Sequence, residues 1–493
     1  MATARTRARA AARNPIEHVF VLMLENRSFD HLFGWSGLYG IAPPPASFGF
    51  QGGAPDTLTV DPPHEYDDVQ GQIAGGLMTG FAQHGGADSM KGVDAGQTPV
   101  LTRLAQTGLL MDNWFSSMPG PTWPNRFFAH AASSGGLDNS PSGFDIGQAV
   151  SSPLYSYQFD NGHIFDRLVR EGKSWRIYRG DIYPQVLSLR GMVDKRVDIN
   201  FFRSYSPASF KADLKSGYGV AYTFIEPNYN ASRNFAGGNS QHPLGSISEG
   251  ERLVSEVYQA IFSQPIGASS VLLITWDEHG GFFDHVAPPA AVPPGDSAGN
   301  YRRAKFPRDC QFDTLGPRVP ALLLSPWLPQ GLGSAVFPGQ VFDHASIVAS
   351  LRDTFNLGAP LTQRDASSPS WQSALLPAPR ALDLFKPRLP AAQKDAAAAP
   401  RRGKTPLTGL SLMATLESAA RVDWDVAART GVQPLVASEF RAPLEKVDAA
   451  AKLNQGVPAS AAHQKIIHDY LDAVAQRDAA LRKALARQQK PRR

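Results

Sequence analysis

Several short segments of this 493-residue sequence combine groups that ionise, bind cations or attack electrophiles. The run Glu25-Asn26-Arg27-Ser28-Phe29-Asp30-His31 follows directly on the apolar stretch from Ile16 to Leu24. Carboxylates placed there need a cation or several hydrogen-bond donors, and a bound metal ion is one way to supply them. A helix start would use the same residue types, with Ser28 or Asp30 capping amides and Glu25 paired to Arg27. The run Asp277-Glu278-His279-Gly280-Gly281-Phe282-Phe283-Asp284-His285 sits in the same position after a second apolar stretch. Two adjacent carboxylates repel one another, so either a divalent cation holds both ionised or one has a raised pKa. His279 and His285 are candidate ligands, although single histidines also serve as structural hydrogen bonders.

A hydroxyl stands between these two segments, in Met118-Pro119-Gly120-Pro121-Thr122-Trp123-Pro124-Asn125-Arg126. Thr122 falls on a tight turn at a helix start, where free amides and the helix dipole favour a phosphate, and Arg126 is within reach of the same anion. Thr122 as a simple N-cap is the alternative. Two histidines in loops, His64 after Asp61-Pro62-Pro63 and His242 in Ser240-Gln241-His242-Pro243, are candidate acids, bases or phosphate donors.

Buried strands and intervening helices must position these groups. Apolar runs at 16–24, 109–115, 174–178, 220–225, 270–276 and 319–325 read as strands. Helical spacing at 98–107, 124–134, 163–171, 207–215, 248–263 and 343–356 reads as helices. Such alternation predicts an α/β fold with a largely parallel central sheet and helices on both faces, because parallel strands need crossover helices. Ligands then bind beyond the carboxyl ends of the strands, where Glu25-Asn26, Thr122, Glu226-Pro227-Asn228 and Asp277-Glu278 all fall.

Composition sets the outer limits. The chain is 42% hydrophobic, with 44 Gly and 40 Pro clustered between apolar runs, as expected of long loops on a packed scaffold. The formal charge of +4 is small, and much of the basic excess lies in residues 1–14 and 482–493. No specific nucleic-acid partner is expected from it. Cys310 is the single cysteine, so no intramolecular disulfide forms. No run approaches the roughly 20 apolar residues of a membrane span, and residues 1–15 lack the apolar core of a secretory signal, so the chain reads as cytoplasmic as written. Four parts are expected: a basic tail over 1–14, a catalytic domain over 15–358, a Pro/Ala-rich linker or wrapping arm over 359–404 and a mainly helical extension over 405–493. Within the last, Ile466, Ile467, Tyr470, Leu471, Val474, Leu481 and Leu485 mark an amphipathic helix that docks on the core, a second copy or a membrane surface.

Taken in order, Glu-Asn-Arg-Ser-Phe-Asp at 25–30, Gly-Pro-Thr-x-Pro-Asn-Arg at 120–126, Glu-Pro-Asn at 226–228, His-Pro at 242 and the nine residues from Asp277 resemble the bacterial phospholipase C and acid phosphatase A family. That family belongs to the wider alkaline-phosphatase-like group, and the resemblance covers roughly 15–358. It implies a divalent cation held by Glu25, Asn26, Asp277 and Glu278, with Thr122 as covalent nucleophile. It further implies that His64 and His242 contact phosphate and transfer protons, and that Arg126 stabilises phosphate oxygens. Oxygen ligands alone favour calcium, magnesium or manganese, and a histidine in the shell would admit zinc. The expected substrate is a phosphate ester, a phospholipid among the options, cleaved as a diester; monoester hydrolysis and non-catalytic phosphate or lipid binding are the alternatives.

Overall fold

The computed structural model describes residues 14–141, 156–181, 184–192, 201–215, 217–230, 235–296 and 310–385, together with scattered positions elsewhere, chiefly between 423 and 480. Among the described residues ten strands are formed in chain order: β1 His18–Leu24, β2 Gln51–Gly52, β3 Lys91–Gly92, β4 Leu109–Leu110, β5 Trp175–Arg179, β6 Phe202–Ser204, β7 Tyr222–Glu226, β8 Ser270–Trp276, β9 Ala321–Leu324 and β10 Gly331–Leu332. Eight of them make one sheet in the order β10-β4-β9-β8-β1-β7-β5-β6, while β2 and β3 pair separately.

The centre of the sheet is parallel: β1 pairs with β8 on one side and β7 on the other, and β7 continues to β5 and β6. Only β9 runs against its neighbours, β8 and β4. Val19 to Leu24 and all seven residues of β8 are buried, so both faces of the sheet are covered, as a parallel sheet requires. The expected α/β architecture is therefore observed. The run from Leu109 to Phe115 gives only a two-residue strand, since Trp114 and Phe115 make isolated bridges to Phe342 and Arg318.

Helices Pro99–Thr107, Thr122–Ala131, Ile164–Arg170, Pro207–Lys215, Ile247–Phe262 and Ala345–Phe355 occupy the segments expected to be helical. The long helix Ile247–Phe262 starts at Ser246, whose hydroxyl accepts from the Glu249 amide. It carries Glu251 inward to accept from the Val100 and Leu101 amides at 2.6 and 3.1 Å, capping the helix that begins at Pro99. Beyond 358 the chain stays packed to at least 374: Arg364 and Trp371 are fully buried, and Arg364 ties Asp343 to the carbonyl of Ser117.

Described positions in the expected C-terminal amphipathic helix are helical, with Ile467, Tyr470 and Val474 buried and the Tyr470 ring 5.4 Å from Phe440. The remainder of that helix, the basic ends and residues 386–422 lie outside the described residues. Among the described residues no helix is long and apolar enough to cross a membrane.

Candidate active site

Because β8, β1 and β7 are adjacent and parallel, their carboxyl ends bring Asp277-Glu278, Glu25-Asn26 and Glu226 to one edge of the sheet. Asn26 leaves β1 in the left-handed region, at φ 58°. Its amide N–H donates to Asp277 Oδ1 at 3.0 Å, locking the two strand ends together. Gly280, at φ +65°, lies so close that a β-carbon there would meet the Asn26 carbonyl oxygen at 2.3 Å. The adjoining Gly281, at φ +72°, is pressed against Pro62 and Pro63. The glycine pair thus makes room for protein backbone.

Thr122 is the first residue of its helix, and Pro121 occupies the N-cap position without a side-chain cap. The hydroxyl is not spent on amides of its own helix: Oγ1 donates to Asn26 Oδ1 at 3.2 Å. Asn125, one turn on, fixes the approach. Its Oδ1 accepts from the Met118 amide, and its Nδ2 reaches the carbonyls of Met118, Gly120 and Pro121 between 2.9 and 3.2 Å. The Asn of the Thr-Trp-Pro-Asn-Arg motif therefore shapes the turn that presents Thr122.

Arg126 lies beneath this arrangement and is fully buried. Nε donates to Asp277 Oδ2 at 2.8 Å, and Nη2 reaches the carbonyls of Met23 and Leu24. Only Nη1 is without a hydrogen-bond partner among the described residues. The fork expected on a phosphate is instead engaged with the strand ends, which require a buried cation to balance Asp277. Glu226 is likewise internal: it accepts from the Gln185 and Val186 amides and the Tyr229 hydroxyl, so the Glu-Pro-Asn motif anchors a loop.

The histidines arrive on two loops joined by the Leu58 N–H to Pro243 carbonyl bond at 2.7 Å. His64 Nδ1 faces the Pro62 carbonyl at 2.6 Å, directing Nε2 toward Asn26 Nδ2 at 3.2 Å and Glu278 Oε1 at 3.8 Å. Burial opposes a charge on His64, but Glu278 and Asp61, with the Pro62 carbonyl, push its pKa up to about 10. His242 faces Asp61 Oδ2 through Nε2 at 3.5 Å. Arg27 holds this loop from below, with Nε on the Gln241 carbonyl and Nη2 on that of His242. Gln72 closes the ring of contacts, donating to the Pro63 carbonyl and facing His279 Nε2 at 2.7 Å.

The two adjacent carboxylates are held differently. Burial, with Glu278 alongside, raises Asp277 against the pull of Arg126. Glu278, although buried, is lowered by His64 and His279. Glu278 Oε1 has no hydrogen-bond partner among the described residues. That orphaned oxygen and the all-oxygen set of Glu25, Asn26, Asp277 and Glu278 suit a hard cation.

Among the described residues, the three acidic or histidine ligand atoms that lie within 4.8 Å of one another belong to Asp30, Asp284 and His285 instead. Arg318 already supplies a cation to that group, with Nη2 on Asp30 at 3.1 Å and Nε on Asp284 at 2.9 Å. Three contributors are not foreseen from the motifs: Asp61 opposite His242, Gln72 in an unanticipated helix Tyr66–Ile73, and the Arg318 ion-pair cluster. Only Asp61 carried a signal, through its place in Asp-Pro-Pro-His.

A family model described as the phosphoesterase family matches residues 16–358. The chain is 32% identical to non-specific phospholipase C3 of Arabidopsis thaliana, over 72% of each chain. It is 28% identical to phospholipase C B of Mycobacterium tuberculosis, over 77% of this chain and 82% of that one. Among solved structures, a protein in the alkaline phosphatase superfamily from Vibrio parahaemolyticus aligns with 11% identity and a TM-score of 0.33, over 72% of this chain and 71% of the other.

Proposed function

Because the chain belongs to the phosphoesterase family, we propose that it hydrolyses phosphodiesters in the manner of a phospholipase C, through a phosphothreonine intermediate on Thr122. The observation that carries this reading is the Thr122 hydroxyl, presented at a helix start and directed at Asn26 instead of capping its helix. Relatives named phospholipase C support the substrate class.

A divalent cation held by Glu25, Asn26, Asp277 and Glu278 would supply Lewis acidity, favouring the Thr122 alkoxide and polarising a phosphate oxygen.

The residues then divide the work. Thr122 Oγ1 attacks phosphorus in line while amides at the helix start receive equatorial oxygens. His64 and His242 border the phosphate from the two tethered loops, and Arg126 keeps Asp277 ionised and in place. Water then attacks the phosphothreonine, and two displacements give retention at phosphorus. To test this, wild type and Thr122→Ala are assayed with and without EDTA on nitrophenyl phosphorylcholine and nitrophenyl phosphate. Turnover should need both Thr122 and metal, with the diester preferred. A Thr122→Ala enzyme matching wild type would remove the nucleophile, and preference for the monoester would make the enzyme a phosphatase.

A further inference from the structure

His242 is held on three sides. Its ring lies face to face with Phe235, with centroids 3.5 Å apart and planes 3° from parallel. The Leu244 N–H donates to Nδ1 at 3.3 Å, and Nε2 faces Asp61 Oδ2 at 3.5 Å. An Nδ1 that accepts a backbone hydrogen cannot carry one, so the ring is the neutral tautomer protonated at Nε2. Burial, together with the charges of His64 and Arg27, also keeps its pKa well below the ordinary value. A neutral imidazole N–H can donate a hydrogen bond to a departing alkoxide, but it is too weak an acid to surrender its proton.

Asp61 shares the pocket. Its side chain is buried, and Oδ1 has no hydrogen-bond partner among the described residues. Oδ2 approaches Nε2 at a separation too long for a good hydrogen bond. Burial with an unpartnered oxygen favours the protonated carboxyl. Burial is the largest cause and raises its pKa above the ordinary carboxylate value, against the charges of His64 and Arg27. Carboxyl and imidazole N–H are thus two donors set side by side, with Oδ2 and Nε2 3.5 Å apart and His64 and Glu278 among the charged groups acting on the carboxyl.

We propose that Asp61 is the general acid of the reaction, giving its proton to the leaving-group oxygen while His242 Nε2–H holds that oxygen. This rests on the phosphothreonine reading above and moves the transferred proton from His242 to its neighbour. As the bond from Thr122 Oγ1 to phosphorus forms, the P–O bond to the leaving group breaks. Its electron pair stays on the leaving oxygen, which takes the Asp61 proton and departs as an alcohol. The Asp61 carboxylate then accepts a proton from the attacking water, whose oxygen bonds to phosphorus as Thr122 is expelled. Thr122 enters and leaves as the alkoxide, so the cycle closes.

Two phosphorylcholine esters that differ only in leaving group test the assignment. Nitrophenolate departs without a proton, whereas an n-butyl alkoxide needs one. Asp61→Asn should lower kcat/KM on the butyl ester at least about 100-fold and on the nitrophenyl ester less than about 5-fold, with Asp61→Glu recovering part of the butyl activity. The wild-type butyl rate should fall as pH rises through the Asp61 pKa, a limb that Asp61→Asn loses. Thermal unfolding confirms that the variants are folded, and the slope of rate against leaving-group pKa in Asp61→Glu gives a second readout that does not depend on the Asn variant. Equal losses on both esters, or an unchanged butyl rate, would overturn the assignment. If Thr122→Ala is inactive in that same experiment, the nucleophile reading survives the failure; if Thr122→Ala matches wild type, both fall together.

Discussion

The Thr122 hydroxyl and the Asn26 side chain, which come from a helix start and from the end of a central strand, meet at 3.2 Å. Neither residue is placed by its own element alone. Asn26 is held in a left-handed conformation by its bond to Asp277, and Thr122 by the turn that Asn125 fastens. The proposed nucleophile is therefore positioned from both sides, and Asn125 and Gly280, which are neither proposed cation ligands nor reacting groups, offer separable tests.

Asn125→Ala removes one acceptor and a donor group shared among three carbonyls of the Met118–Pro121 turn. A small displacement of a nucleophile costs roughly 100-fold in rate. Steady-state kinetics should show kcat falling by about that factor with KM nearly unchanged, while stability drops by about 2 kcal/mol. A rise in KM alone would mean that the turn binds substrate and does not aim Thr122.

Gly280→Ala forces a β-carbon toward the Asn26 carbonyl at a positive φ. Strain and overpacking together should cost about 3 kcal/mol in urea denaturation. Because Asn26 is what moves, activity should also fall in the fraction that remains folded. Stability unchanged from wild type would show that the two strand ends are not in close contact.

Arg318→Met leaves Asp30 and Asp284 buried without their cation. Loss of one member of a buried ion pair costs about 3 to 5 kcal/mol. Added calcium or zinc should return part of that stability, since His285 completes a three-ligand group there. A variant as stable as wild type would show that Arg318 does not balance these carboxylates.

Glu251 gives a pH dependence whose sign is fixed. Burial raises its pKa from 4.5 to about 8, against the two amide hydrogen bonds that favour the carboxylate. The folded state thus holds a proton that the unfolded chain has released. The contribution of this group to stability is complete below about pH 4.5 and declines as pH rises toward 8. Denaturation midpoints of Glu251→Gln should lack that decline, measured as the difference from wild type at each pH. Parallel curves for the two proteins would show that Glu251 is ionised throughout.

Much of the scaffold was legible in the sequence because buried strands declare themselves. Val271 to Ile274 is an unbroken apolar run inside a strand that spans Ser270–Trp276, and the carboxylates that follow it fall at the sheet edge. The reversed direction of β9 was not legible, since Ala321–Leu324 is equally apolar whichever way it runs. The candidate site divides in the same way. Thr122, Asn26 and Asp277 could be read because each lies at the boundary of a recognisable element. The pairing of Asp61 with His242 could not, because it depends on how two long loops are tethered. Nor could the commitment of Arg126 to Asp277: a motif shows that an arginine is near the site, not which anion it faces.

The central claim is a covalent bond to Thr122. Rapid acid quench during turnover of nitrophenyl phosphorylcholine, followed by mass spectrometry of the peptide carrying Thr122, tests it most directly. A phosphorylcholine group on Thr122 that forms within one turnover and is absent from Thr122→Ala is the predicted result. An unmodified Thr122 during steady turnover, with inversion at a chiral phosphorus, would contradict it and mean that water attacks the substrate directly.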